Sequence, residues 1–224
     1  MTWTFRKKAT VTAIPIVAVV VTLLMLGSQA SSVTTFTVTI PTTTYRMGDT
    51  VNISILLSPT RPVKAWETKV TFTKTVLNAK TVSEGSFFKP APTFYNAGVI
   101  NNQTGEITSI YDLIIGPGNV SASKPIINIS FKAIRYGMCY INLTGTGATN
   151  ETMYIPITVV NATVFIYSPY DMNADKTVGM TDLLDVAGHY GQTGPGGWIK
   201  EDIDKNGRVG LLDLVFIATH WGAY

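Results

Sequence analysis

The sequence predicts a mainly β protein: a sandwich of two antiparallel sheets over residues 31–167, then a small helical module with a duplicated calcium loop over 168–224. Three observations predict it. Residues 33–166 alternate apolar and polar side chains in many short runs rich in Thr, Val and Ile. Turn clusters such as Gly116-Pro117-Gly118-Asn119 and Gly145-Thr146-Gly147 punctuate those runs. Beyond Pro169 an acidic pattern occurs twice, at an offset of 31 residues.

Residues 1–30 read as a secretion signal. Arg6, Lys7 and Lys8 precede an apolar run from Ala9 to Leu26, and Ser28-Gln29-Ala30 fits a small-x-small cleavage site. The run approaches the ~20 residues of a spanning helix, so an N-terminal membrane anchor is the alternative. Pro15 and the threonines at 10, 12 and 22 count against it.

The formal charge of +3 comes from 17 basic and 14 acidic residues. Its whole excess lies in that leader, which holds three bases and no acid. The balanced remainder has no basic stripe, which argues against a nucleic-acid binder. Asn-x-Ser/Thr sequons at Asn52, Asn102, Asn119, Asn128, Asn142, Asn150 and Asn161 are a second sign of export, to a secreted or cell-surface glycoprotein. Cys139 stands alone, so no internal disulfide forms; it sits in an apolar strand pattern as a buried filler.

The strands follow in order. Phe36, Val38 and Ile40 alternate with Thr, and after the turn Gly48-Asp49 the same period takes in Val51, Ile53, Ile55 and Leu57. Val70 and Phe72 follow, flanked by Lys69 and Lys74. Ile127, Ile129, Phe131 and Ala133 alternate with Asn128, Ser130 and Lys132. Ile141 and Leu143 bracket Asn142, and Ile155, Ile157 and Val159 complete the series. Asn52, Asn128 and Asn142 fall on the polar phase, where a glycan points at water. No run here is a convincing amphipathic helix, so a two-sheet sandwich is expected.

Composition changes near Ser168-Pro169. Residues 31–170 carry ten bases and six acids, whereas 171–224 carry four bases and eight acids. The first copy of the repeat begins Asp171, Asn173, Asp175, Thr177, Asp182; the second begins Asp202, Asp204, Asn206, Arg208, Asp213. Oxygen-bearing side chains thus occupy positions 1, 3, 5 and 12 of each loop, with the carbonyl of Thr177 or Arg208 at position 7. Calcium takes six to eight oxygens at about 2.3–2.6 Å, and this spacing is that of an EF-hand-like calcium loop. Gly179 and Gly210 at position 9 leave a place for water. Two ions would cancel the acidic excess. Gly207 at position 6 suits the sharp turn, whereas Lys176 there costs roughly 1 kcal/mol, so the second loop is expected to bind more tightly.

After each loop, Leu183, Val186, Ala187 and Tyr190, and likewise Leu214, Ile217, Ala218 and Trp221, lie at helical spacing. Each unit is a loop feeding one helix, and neither buries its apolar face alone. His189 and His220 hold equivalent places at the helix ends, which suggests packing or capping.

Together with Val178 and Val209 at position 8 and the link Pro195-Gly196-Gly197-Trp198, these features make residues 171–224 resemble a type I-like dockerin. Residues 33–166 resemble a cohesin, through Gly48-Asp49-Thr50-Val51, the stretch Ala65–Leu77, and Glu84-Gly85-Ser86-Phe87-Phe88. The resemblance implies a nine-stranded jelly-roll sandwich akin to carbohydrate-binding modules, and calcium-dependent docking between dockerin and cohesin surfaces. It also implies partner-choosing roles for loop positions 10 and 11, here Met180, Thr181, Leu211 and Leu212. At least two of the four apolar residues Met180, Leu211, Leu212 and Phe216 are expected to serve helix packing.

Catalysis is not expected, because the sandwich holds six scattered acids with no paired spacing. The leading expectation is an exported docking protein whose partner is a cohesin-type module or a second copy of itself. A carbohydrate-binding accessory of polysaccharide breakdown is the alternative, and would need an exposed strip drawn from Trp66, Tyr95, Tyr111, Tyr136, Tyr140 and Tyr154. A glycosylated surface-layer or filament subunit is the third reading.

Overall fold

The computed structural model describes residues 33–42 and 44–224. The leader expected over residues 1–30 lies outside them. Among the described residues, no helix is long and apolar enough to cross a membrane.

Eleven strands build two facing sheets. In chain order they are β1 (Thr34–Thr39), β2 (Tyr45–Arg46), β3 (Thr50–Ser58), β4 (Ala65–Phe72), β5 (Leu77–Glu84), β6 (Asn96–Asn101), β7 (Glu106–Leu113), β8 (Lys124–Ala133), β9 (Gly137–Thr149), β10 (Ile157–Val160) and β11 (Ala162–Tyr167). One sheet runs β10-β1-β3-β8-β5 and the other β2-β11-β9-β4-β7-β6.

Period-two patterning places the side chains as expected. Val51, Ile53, Ile55 and Leu57 of β3 face inward, as do Ile127, Ile129, Phe131 and Ala133 of β8. A bulge opposite Ile55 and Leu56 turns Ile126 inward beside Ile127. Phe131 reaches across to Phe72 of the other sheet, edge to face at 5.1 Å. Phe87 and Phe88 plug the core just after β5, both 2% exposed. The chain turns into this plug at Gly85, where a Cβ would come within 2.2 Å of the Pro125 carbonyl. Cys139 is fully buried, and burial pushes its thiol pKa up, as suits a filler.

Two expectations need correction. The sheets are not wholly antiparallel, since β1 pairs with β10 and β2 pairs with β11 in parallel. The strand count also exceeds nine. Both differences have one origin. The first and last stretches of the sandwich each bend from one sheet into the other, β1 into β2 and β10 into β11. The two stretches run side by side in the same direction, so each sheet gains one parallel edge pair. Counted as two sheet-switching strands, they restore nine.

The remaining elements are β12 (Thr177–Val178), α1 (Met180–Gly188), α2 (Leu211–Thr219) and β13 (Gly222–Ala223). Their core is small: Met172, Val178, Val186, Val209 and Ile217 are buried. Leu183 and Leu214 pack at its edge. Tyr190 and Trp221, expected on the buried helical face, lie beyond the helix ends and are exposed. The helices stop because His189 and His220 turn their Nδ1 atoms onto carbonyls four residues back, Asp185 at 2.9 Å and Phe216 at 2.8 Å.

A near-twofold exchange joins the repeats. β12 of the first loop pairs with β13, which follows the second helix. Arg208 of the second loop pairs with Thr193, which follows the first helix. Each loop is therefore closed by the chain leaving the other unit, and neither unit is complete alone.

Candidate metal centre

The acids at positions 1 and 12 of each loop are drawn out of solvent. Asp171, Asp182 and Asp213 are fully buried and Asp202 is 2% exposed. None of the four has a salt bridge among the described residues. Burying a carboxylate without a counter-charge is costly, and a cation at each loop would offset that cost.

The position-12 acids organise the loops through their own backbone. Asp213 accepts the Ile203 amide at 2.8 Å and the Asp204 amide at 3.2 Å on Oδ1, and the Gly210 amide at 2.7 Å on Oδ2. Asp182 repeats this with Met172 at 2.6 Å, Asn173 at 3.3 Å and Gly179 at 2.8 Å. Each acid thus ties the start of its loop to the first turn of its helix, where a negative charge also suits the helix dipole.

Asp202, Asp204 and Asp213 present carboxylate oxygens that all lie within 4.8 Å of one another. Two oxygens on opposite sides of a calcium ion, each about 2.4 Å away, stand that far apart. The Oδ1 atom of Asp202 is buried and has no hydrogen-bond partner. The donor set is hard oxygen throughout. On chemistry and spacing, the residues of the second loop fit calcium.

The first loop is looser, since Asp171, Asp175 and Asp182 do not close to the same mutual distance. Both loops turn an asparagine Nδ2 onto an aspartate Oδ2 at 2.8 Å, Asn173 to Asp175 and Asn206 to Asp204. Lys176 adopts φ 73, the left-handed conformation that Gly207 adopts at φ 87 in the second loop. Gly207 is also required sterically, because a Cβ there would lie 2.6 Å from the Gly194 carbonyl. Of the position-7 residues, Thr177 opens β12 and Arg208 forms the bridge to Thr193.

The expected partner-facing residues are exposed. Met180 is 57%, Leu211 66% and Leu212 59% exposed, and Thr181 is exposed beside Met180. The expectation that at least two of the four apolar residues serve helix packing fails. Only Phe216 is half-buried, and it stacks on the loop residue Tyr170 at 6.1 Å. The helices are too short to bury a second face, so the first turns stay open. Leu184 and Val215, one turn on and 31 residues apart, extend the same surface. The repeat offset would have found that pair.

The sandwich has its own concentration of chemistry at one end of β4, β7 and β9. Tyr111 and Tyr154 line a shallow depression of about 260 Å³ with Glu67, Trp66 and Asp112. Trp66 and Asp112 each carry a buried polar atom without a partner. Burial first, and then the nearby Glu84 carboxylate, push the Asp112 carboxyl up to about 6. A folded pKa above the unfolded one means the native state holds the proton longer. The contribution of this group to stability is therefore fullest in acid and is lost as pH rises from about 4 through 6. Asp112→Asn is expected to melt higher than the parent at pH 8 and to match it only below about pH 4, as thermal unfolding would show. Tyr140 is exposed at the other end of β9, Tyr95 and Tyr136 are half-buried, and Trp66 is in the core.

The sequons occupy different settings. Asn52, Asn119, Asn128 and Asn161 are exposed, whereas Asn142 and Asn150 are half-covered. The Asn102 side chain pairs with both backbone groups of Ala79, at 2.8 and 3.1 Å.

No protein-family model matches this sequence, and no curated protein matches it either. Solved structures do resemble the fold. A type II cohesin domain from the cellulosome of Acetivibrio cellulolyticus shares 12% identity over 59% of this chain and 95% of its own, with a TM-score of 0.50. A non-cellulosomal cohesin from the hyperthermophilic archaeon Archaeoglobus fulgidus shares 13% identity over 60% of this chain and 91% of its own, at 0.48. A type I cohesin–dockerin complex from Clostridium thermocellum gives 13% identity, 59% and 94% coverage, and 0.49. On the first of these likenesses, the sandwich is cohesin-like in fold.

Proposed function

We propose that this is an exported, non-catalytic protein that docks onto a cohesin-type partner through a calcium-stabilised, dockerin-like C-terminal module. One observation carries the reading. Buried carboxylates at loop positions 1 and 12 frame two helix starts whose position 10 and 11 side chains, Met180-Thr181 and Leu211-Leu212, are exposed to solvent. Calcium would be held by Asp171, Asn173, Asp175, Asp182 and the Thr177 carbonyl, and by Asp202, Asp204, Asn206, Asp213 and the Arg208 carbonyl. In each loop the ion supplies the missing positive charge and lets the acids converge. The helices then present their first turns as a rigid plug. Apolar anchors of this size in a fixed frame are what a docking interface needs.

The sandwich supports self-assembly as one form of the same activity. It adds a cohesin-like fold with exposed Val99, Leu113 and Tyr154, and sequons that suit a cell-surface setting. Surface plasmon resonance of the full chain over immobilised cohesin modules, and over itself, tests the proposal. Binding is expected in calcium, lost in chelator, and reduced at least 100-fold by L211D with L212D. Binding that survives chelation or this double substitution overturns it.

A second reading rests on the Tyr111–Tyr154 depression, whose rings and Glu67 carboxylate suit a sugar's apolar face and hydroxyls. Glycan binding that persists in chelator and is lost in Y154A would favour a polysaccharide ligand.

A further inference from the structure

The two loops are copies in sequence, yet their first carboxylates are held differently. In the second loop, Asp202 Oδ2 accepts the amides of Gly207 at 3.1 Å and Gly197 at 2.7 Å. Both donors are backbone groups of the loop and the link before it. In the first loop, Asp171 Oδ2 accepts the Lys176 amide at 2.8 Å, the counterpart of Gly207. Its second donor is a side chain from the far end of the chain, the Tyr224 hydroxyl at 2.7 Å.

The exchange of strands explains how Tyr224 arrives. β13 pairs with β12 of the first loop, and Tyr224 follows directly. The segment before the first loop cannot act as the Pro195–Trp198 link does, because it joins the sandwich. Its Ser168 amide donates to the Tyr224 oxygen at 2.8 Å, and that hydroxyl donates onward to Asp171. The Tyr224 ring lies edge-on to Tyr136 at 4.8 Å and 6.3 Å from Phe165, both sandwich residues. From β2, Arg46 Nη2 donates to the carbonyls of Asp171 and Met172, each at 2.9 Å.

We infer that Tyr224 and Arg46 are positioning residues of the first calcium site, which the sandwich and the loop module build jointly. Calcium there fastens the module to its own sandwich, whereas calcium in the second loop serves the module alone. The inference rests on the calcium reading above. Outer partners of metal ligands fix ligand orientation, and losing one costs roughly 10–100-fold in metal affinity. The coupling is reciprocal: whatever the tyrosine adds to ion affinity, the ion adds to the junction.

Tyr224→Phe keeps the ring against Tyr136 and removes only the hydroxyl. The test is a calcium titration of the full chain by NMR, following the amides of Lys176 and Gly207 as separate reporters of the two loops. The expected result is about 10-fold weaker binding at Lys176 with Gly207 unchanged. Hydrogen exchange at Ser168 and Arg46 is expected to slow on calcium addition in the parent and not in Y224F. R46Q is expected to act in the same direction. Two normal sites in Y224F, with calcium-linked protection of Ser168 intact, would overturn the inference and leave the docking reading standing. A parent that binds no calcium at either loop would remove both.

Discussion

Replacing Asp213 with alanine is expected to abolish calcium binding at the second loop and to loosen the whole C-terminal module. The carboxylate has three neighbours to lose at once, the amides of Ile203, Asp204 and Gly210, and it is fully buried. These amides are part-buried, so each one left without an acceptor costs at most about 1–3 kcal/mol. A core of five buried side chains has little with which to absorb that. The ion also loses one of three converging carboxylates, so its affinity should fall by more than the ~100-fold seen when only an outer partner is changed. Calorimetric calcium titration checks the first effect and hydrogen exchange of α2 the second. Unaltered binding at this loop would refute the ligand assignment.

Phe131→Ala is expected to produce the largest loss of stability in the sandwich, about 3–5 kcal/mol. Phe131 is fully buried in β8, beside Val51 and Ala79 in its own sheet, and meets Phe72 of the facing sheet edge to face. It therefore bridges the layers. Its removal leaves a cavity between two sheets, each kept stiff by its own backbone ladder. Chemical denaturation monitored by tryptophan fluorescence would read the loss. Calcium affinity at the second loop should stay unchanged, because that site takes its donors from the module itself. A shift below about 1 kcal/mol would mean that the sheets can close on the gap.

These two substitutions act on features that local chemistry already encoded. Alternation in β3 and β8 follows from the pleat, so Val51–Leu57 and Ile127–Ala133 were readable as inward rows. The doubled acidic spacing was equally readable, although only in the second loop do the acids at positions 1, 3 and 12 close on one another. The 31-residue offset likewise implied two units that complete each other.

Long-range placement was not legible in the same way. That β1 and β10 run parallel depends on how two distant segments bend between sheets, and neither segment's pattern records its neighbour. Met180, Leu211 and Leu212 read equally well as helix core, and only the shortness of α1 and α2 left them in solvent. Tyr224 aligns with Thr193 in the repeat and carried no signal of its own. Local periodicity and ligand spacing are properties of neighbouring residues, so the sequence alone determined the strands, the loops and their oxygen chemistry. Which residues complete the first loop depended on Tyr224 meeting Asp171, 53 residues away in sequence, against the folded sandwich, and only tertiary packing decides that.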